Sequence, residues 1–195
     1  MTRVVAKLRA AKFWFFLLRL AIRRYLRRDH PKATKGLDAL IISPGGVATT
    51  FLIDYLSQSV RTHDRNDADW IKHLPYVPDV ETHHRLIYVY GPPADIYASL
   101  KRRDFHRIQA AKLGCPLCMF VRGTLHAWLS KRAIAKQTKA FHSAPAEQVL
   151  CIEYNALWEA PDRIAAHLGI KDPAFVPSFP PRRARTSVPQ PESVR

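Results

Sequence analysis

The chain has 195 residues, of which 47% are hydrophobic and 24% charged, ordinary proportions for one folded domain that exclude wholesale disorder. Lys and Arg number 31 against 16 Asp and Glu, a net charge of +15, which calls for a polyanionic partner such as nucleic acid, anionic lipid or a phosphorylated ligand. Cys115, Cys118 and Cys151 are too few for a secreted disulfide framework. The single C-x-x-C has no second pair to complete a zinc site, so the thiols read as structural or incidental, with a redox pair or half a zinc site as the alternative, and the compartment as reducing.

The charge is concentrated at the start. Up to residue 36, eleven basic residues from Arg3 to Lys35 face Asp29 alone, so two thirds of the net charge lies there. Val4, Leu8, Phe15, Leu18, Ile22 and Leu26 recur at helical spacing beside Arg19, Arg23 and Arg27, which predicts a basic amphipathic helix within residues 1–34. Lys12 and Arg19 bracket an apolar run far shorter than the roughly 20 residues a bilayer requires. Arg23, Arg24, Arg27 and Arg28 stand where a signal peptide would be cleaved. The pattern suits a helix lying on an anionic membrane surface, aromatics inserted and arginines on headgroups, and hence a cytoplasmic, peripherally membrane-associated protein. Docking of the helix on the domain or on a partner is the alternative. Nucleic acid is the least favoured partner and none is expected.

Residues 35–175 read as an α/β domain. Leu37–Ser43 is a short apolar run stopped by Pro44-Gly45-Gly46, a buried strand; Thr49 to Ser59 is helical, with Phe51, Leu52, Tyr55 and Leu56 inward. Arg61–Asp69 is polar and loop-like. Leu86–Tyr90 is a second strand, followed by a helix over Ile96–Arg103 capped by Asp95. A long helical stretch, interrupted near Gly114-Cys115-Pro116, runs to Phe141. Gln148–Glu153 is a third strand, and Ala160–Leu168 a helix ended by Gly169. Alternating strands and helices predict a three-layer α/β/α sandwich around a mainly parallel sheet, with a ligand at the strands' carboxyl ends. From Val176 the prolines multiply and apolar patterning stops, so residues 176–195 read as an irregular Pro/Arg-rich tail.

The segment most suggestive of chemistry runs from Ser43 to Phe51. A strand, a glycine-bearing turn and paired threonines opening a helix form a phosphate cradle: glycines allow close approach, amides converge and hydroxyls add donors. Gly45, Gly46, Val47, Ala48, Thr49 and Thr50 are its candidate ligands. The Gly-Lys-Ser/Thr of a Walker A loop is absent.

Four segments together resemble the sulfotransferase superfamily, which transfers sulfuryl groups from 3′-phosphoadenosine-5′-phosphosulfate (PAPS). Thr49-Thr50-Phe51 is similar to the T-T-W of that family's P-K-S-G-T-T-W loop. Lys72-His73-Leu74-Pro75 resembles its K-T-H-L-P, one residue shorter. Leu86–Tyr90 with Pro93, Asp95 and Ser99 resembles the strand and R-N-P-x-D-x-x-x-S that follow. Val149–Leu157 with Pro161 and Leu168-Gly169 resembles the later V-x-Y-E-D-L…P and F-L-G. Order and rough spacing hold from about residue 38 to 170. The resemblance implies a P-loop NTPase-like sulfotransferase fold, PAPS as co-substrate without a metal, a hydroxylated acceptor (glycan, lipid-linked or small molecule), His73 as general base and Ser99 on the 3′-phosphate. The chain departs from the pattern at Gly46, where the family has its lysine, at Gly91, where it has its arginine, at Ala48, where it has glycine, and at Asn155, where it has glutamate. Lys101, Arg102 and Arg103, beyond Ser99, and Arg182, Arg183 and Arg185 in the tail are the candidates to replace the missing charge; Arg103 and Arg183 are the ones assigned to the donor.

On this reading His73 takes the acceptor's proton near neutral pH while the loop neutralises the leaving group. A non-catalytic nucleotide-binding module of the same fold is the alternative from another class; a P-loop-like kinase lacks both the lysine and an acidic residue for Mg²⁺. His83-His84 precede the second strand, and His63, His106, His126 and His142 read as core or surface residues.

Overall fold

A computed structural model describes residues 2–28, 34, 36–79 and 85–182, leaving out the side chains of 2–8. Strands β1 (Ala39–Ile42), β2 (Arg85–Tyr90) and β3 (Val149–Glu153) form one parallel sheet in the order β1-β2-β3. Alternate residues feed two apolar clusters. Ala39, Ile41, Ile87, Val89 and Ile152 face one side, and Leu40, Ile42, Leu86, Tyr88 and Val149 the other. Burial on both faces is why these strands read as unbroken apolar runs.

Helices α2 (Thr49–Leu56), α3 (Pro93–Arg102) and α6 (Pro161–Leu168) bring Leu52, Ile53, Ile96, Leu100 and Ile164 to the first cluster. On the second side Phe141, from α5 (Gly123–His142), stacks on Tyr88 with ring centroids 4.3 Å apart, beside Ile71 and Leu74. The architecture is therefore mixed α/β around a parallel sheet.

Several local expectations change. Helix α3 opens on Pro93, whose fixed φ suits a first turn, so Asp95 lies inside that turn and caps nothing. The long helical stretch is divided into α4 (His106–Lys112), a single 3-10 turn at Leu117–Met119 and α5. Gly114 causes the break: its φ is +73°, and a Cβ there would stand 3.1 Å from the Tyr25 amide nitrogen. The turn brings the Cα atoms of Cys115 and Cys118 within 5.4 Å, and the two are joined as a disulfide, a pairing the sequence left open. Chain packing also continues past residue 175. Phe175 is buried, and Phe179 meets the rings of Tyr55 and Phe51 at 4.9 and 6.0 Å, so the tail's first turn belongs to the core despite its prolines.

The N-terminal segment is helical, α1 spanning Thr2–Tyr25, and it contacts the domain through a different row from the apolar one read for a membrane surface. Leu17, Leu20, Ala21 and Arg24 are buried, Leu17 and Ala21 against Ala111 and Met119. Phe15, Ile22 and Leu26 point to solvent, Phe15 with 69% of its surface exposed. Arg24 is 2% exposed; it donates to the carbonyls of His73 at 2.9 Å and Lys112 at 2.5 Å, and to that of Trp70. Among the described residues no helix is long and apolar enough to cross a membrane.

The topology also places a crevice. From β1 the chain passes through α2 to Thr62, which forms a one-residue parallel bridge with Ala39. It then reaches β2, which pairs along the other edge of β1. Successive connections thus leave β1 in opposite directions, and a ligand crevice opens at such a switch point, outside the strand's carboxyl end.

Candidate functional site

The loop leaving β1 sits at that crevice. Ser43 Oγ lies 2.6 Å from Thr49 Oγ1 and accepts from the Gly45 amide at 3.1 Å, so the hydroxyls tie the loop's two ends together. Between them Gly45, Gly46 and Ala48 have φ of +96°, +74° and +55°. Space is also tight at the two glycines. A Cβ on Gly45 would stand 3.0 Å from Gln109 Cδ, and one on Gly46 3.1 Å from Arg103 Nη2 and 3.4 Å from Ser99 Oγ. Ala48 holds a left-handed conformation with a Cβ, at a cost of about 1–2 kcal/mol. It is the residue before α2, whose first amides point into the loop unopposed by any acidic residue in that turn.

The loop lines a cavity of about 770 Å³, of a size to take a nucleotide-scale ligand. Gly45, Gly46, Val47, Ala48, Thr49, Thr50, His73, Ser99 and Arg103 all reach it. Val47 offers only its backbone, because its side chain is buried in the core. The Thr49 hydroxyl is engaged by Ser43, whereas Thr50 Oγ1 accepts from Lys72 Nζ. Arg103 continues the helical row from Ser99, donating to the Ser99 carbonyl at 3.3 Å and reaching its Oγ at 3.5 Å. Its guanidinium therefore comes to the bend where the superfamily resemblance places a lysine. Gly91 lines the wall near Ile96 and Val47 and brings no charge.

Three contributors went unassigned in the sequence. Lys72 spans the cavity between Thr50 and the Arg65 carbonyl, 3.0 Å away, and burial lowers its pKa. Lys112, from the end of α4, pairs with Asp67 at 2.5 Å and lies over the Trp70 ring. Gln109 is buried beside Gly45, its amide nitrogen without a hydrogen-bond partner among the described residues. Lys72 stood inside a quoted motif and was readable; Lys112 and Gln109 carry no local signal. Burial works against the Asp67 carboxylate, but His73, Lys112 and Arg24 together outweigh it and hold its pKa below the usual value.

His73 is the candidate base. Its Nδ1 donates to the Ser43 carbonyl at 2.8 Å, which assigns the proton to Nδ1 and leaves the lone pair on Nε2. Burial drives its pKa down to about 3, against the pull of Asp67. The ring is thus neutral at physiological pH but a far weaker proton acceptor than the near-neutral base expected from sequence. Asn155 also lines the cavity and accepts from Arg182 Nη2 at 3.2 Å; Arg182 lies over the rings of Tyr154 and Trp158. Arg183, Arg185, His83 and His84 fall outside the described residues. Among those described, no cluster of three or more His, Cys, Asp or Glu is disposed to hold a metal.

The arrangement is a basic cavity at a strand-to-helix bend, able to bind phosphate or sulfate oxygens through amides, hydroxyls and at least two cations. Comparison with protein-family models, with curated proteins and with solved structures finds no match to this chain.

Proposed function

We propose that this cavity binds PAPS and that the chain is a sulfotransferase-like transferase with a P-loop NTPase-like fold, acting on a hydroxyl of a glycan, lipid-linked or small-molecule acceptor. The observation that carries the reading is the convergence of Thr50, Lys72, His73, Ser99 and Arg103, from three sequence segments, on one cavity at the switch point. The Gly45–Thr50 amides and Arg103 would take the 5′-phosphosulfate, with Ser99 beside them for the 3′-phosphate. The acceptor oxygen attacks sulfur, the bond from sulfur to the bridging 5′-phosphate oxygen breaks, and His73 Nε2 receives the hydroxyl proton. The leaving bisphosphate departs with the bonding pair, its charge met by Lys72 and Arg103. An anion held against His73 favours its protonated form and raises its pKa from about 3.

The low pKa of His73 and the glycines at 46 and 91 favour a second reading, a binding module of the same fold without turnover. Thermal denaturation with PAPS, adenosine 3′,5′-bisphosphate and ATP with Mg²⁺ tests both. A ligand of the native state stabilises by mass action. A rise in Tm with PAPS and the bisphosphate, joined by sulfuryl transfer that His73→Gln abolishes, supports the transferase. The same rise without transfer leaves the binding module. No rise with either nucleotide refutes both, and a larger rise with ATP and Mg²⁺ favours a kinase. Attachment to an anionic membrane is part of the proposal. Phe13, Trp14, Phe15, Phe16, Ile22 and Leu26 of the N-terminal segment are exposed among its arginines, the composition that interfacial insertion requires.

A further inference from the structure

A second cleft, of about 840 Å³, lies away from the bend, between the end of α1, the turn at Gly114–Leu117 and α5. Its walls divide by polarity. Arg132, Lys136 and Lys139 recur on α5 at helical spacing and share one face, and Arg27 approaches from beyond α1. Lys136 Nζ lies 5.4 Å from the Tyr25 ring centroid and the Arg132 guanidinium 5.3 Å from that of Trp128, so aromatic faces rather than carboxylates hold both cations. No described Asp or Glu lines the cleft. The floor is apolar, built by Leu113, Leu129, Ala133 and Ala140. At the mouth Tyr25 and Leu117 are exposed, and they join the cleft to the uncovered Ile22 and Leu26 side of the N-terminal helix.

A cationic rim over an apolar floor excludes two simple occupants. A free inorganic anion would leave the floor unfilled, and a neutral hydrocarbon would desolvate the cations without compensation. We infer that this cleft binds a single anionic phospholipid, its phosphate on Arg132 and Lys136 and one acyl chain along Leu129 and Ala140. The inference rests on the membrane attachment proposed above and gives it a specific headgroup site. It does not depend on nucleotide binding at the first cavity.

The test uses the full chain and a short-chain soluble lipid, dihexanoyl phosphatidylglycerol, so that binding is read without vesicles. Calorimetric titration should show saturable binding that the double variant Arg132→Ala with Lys136→Ala weakens at least about tenfold, the loss expected for charge-assisted contacts. Lys131→Ala removes a charge from the same helix outside the cleft and should change the affinity less than about twofold, as expected of a screened surface charge. Equal weakening by Lys131→Ala, or glycerol 3-phosphate binding as tightly as the lipid, overturns the site. Flotation on vesicles of phosphatidylcholine with and without phosphatidylglycerol separates the two levels. Flotation on the anionic vesicles with no titratable soluble lipid overturns the cleft and leaves surface attachment standing. Saturable lipid binding without flotation supports the cleft and removes the attachment.

Discussion

Replacing Arg24 by Met tests how the N-terminal helix is held and how the hold reaches the site. Met keeps the apolar stem but removes the guanidinium, so the carbonyls of Trp70, His73 and Lys112 lose that donor together. A hydrogen bond from a charged group contributes about 1.5–3 kcal/mol, and a stranded buried acceptor costs about 1–3 kcal/mol. Release of the guanidinium from a buried position offsets part of this, which leaves a net loss of about 3–5 kcal/mol. The apolar anchors of α1 are Leu17, Leu20 and Ala21; each leucine contributes about 1.5–3 kcal/mol, reduced by the entropy of ordering the helix. The perturbation is therefore as large as the docking energy. The expected outcome is detachment of α1 while the sheet survives. Trypsin should then cleave rapidly at Arg19, Arg23 and Arg27, and amide exchange should lose protection in α1 but keep it in β1 to β3. If α1 and the domain instead unfold as one unit, the loss appears as a fall in Tm of roughly 6–20 °C. An α1 that stays protected, with Tm changed by less than about 1 °C, would refute the role assigned to Arg24.

Ala48→Gly relieves a left-handed alanine at the cost of a freer unfolded chain, and should stabilise the protein by about 0.5–1 kcal/mol in urea titration; Ala48→Val should destabilise it. For His73 the unfolded pKa near 6.5 exceeds the folded value of about 3, so the unfolded state binds the extra proton. Stability is full above about pH 6.5 and falls as pH drops towards 3, at about 1.4 kcal/mol per pH unit from this group. His73→Gln should flatten the urea midpoint against pH by that slope, and an unchanged slope would show that the ring is hydrated. Arg103→Ala should weaken adenosine 3′,5′-bisphosphate about 10- to 100-fold by titration, with little change in Tm of the protein alone, because the side chain is exposed.

The parts of the fold legible in the sequence are those whose signal is local. Leu37–Ser43, Leu86–Tyr90 and Gln148–Glu153 lie within two residues of the true strand ends, because a strand buried on both faces must be apolar throughout. The bend was legible because a left-handed turn leaves glycines and a helix start leaves threonines. The docked row of α1 was not. Phe13 to Leu18 is apolar on every side of the helix, so periodicity cannot choose a face, and an arginine reads as solvated wherever it stands. Arg24 is buried only because three carbonyls 46, 49 and 88 residues away converge on it, a condition with no trace in its neighbourhood. The described start of the tail is irregular chain, as its prolines suggested, but Phe179 packs on Tyr55 next to Phe175 at the end of the domain, a contact with no local pattern to announce it.

The cations at the bend show why position along a chain and position in space give different answers. Set beside the motif the sequence resembles, Gly46 stands where that motif carries a lysine. In space the same point is approached by Arg103 from the far end of α3, so close that a Cβ on residue 46 would stand 3.1 Å from its Nη2. A side chain at 46 would therefore crowd the present course of Arg103, whose guanidinium would have to shift. Gly46→Lys should not add a second charge to the cavity but displace the one already there, and it must also force a left-handed φ on a residue with a Cβ. Arg103→Ala removes that contact, and even then the strain of the left-handed φ remains. If Gly46→Lys alone tightened nucleotide binding without moving Arg103, the two positions would be independent and the exchange of one cation for the other would be wrong.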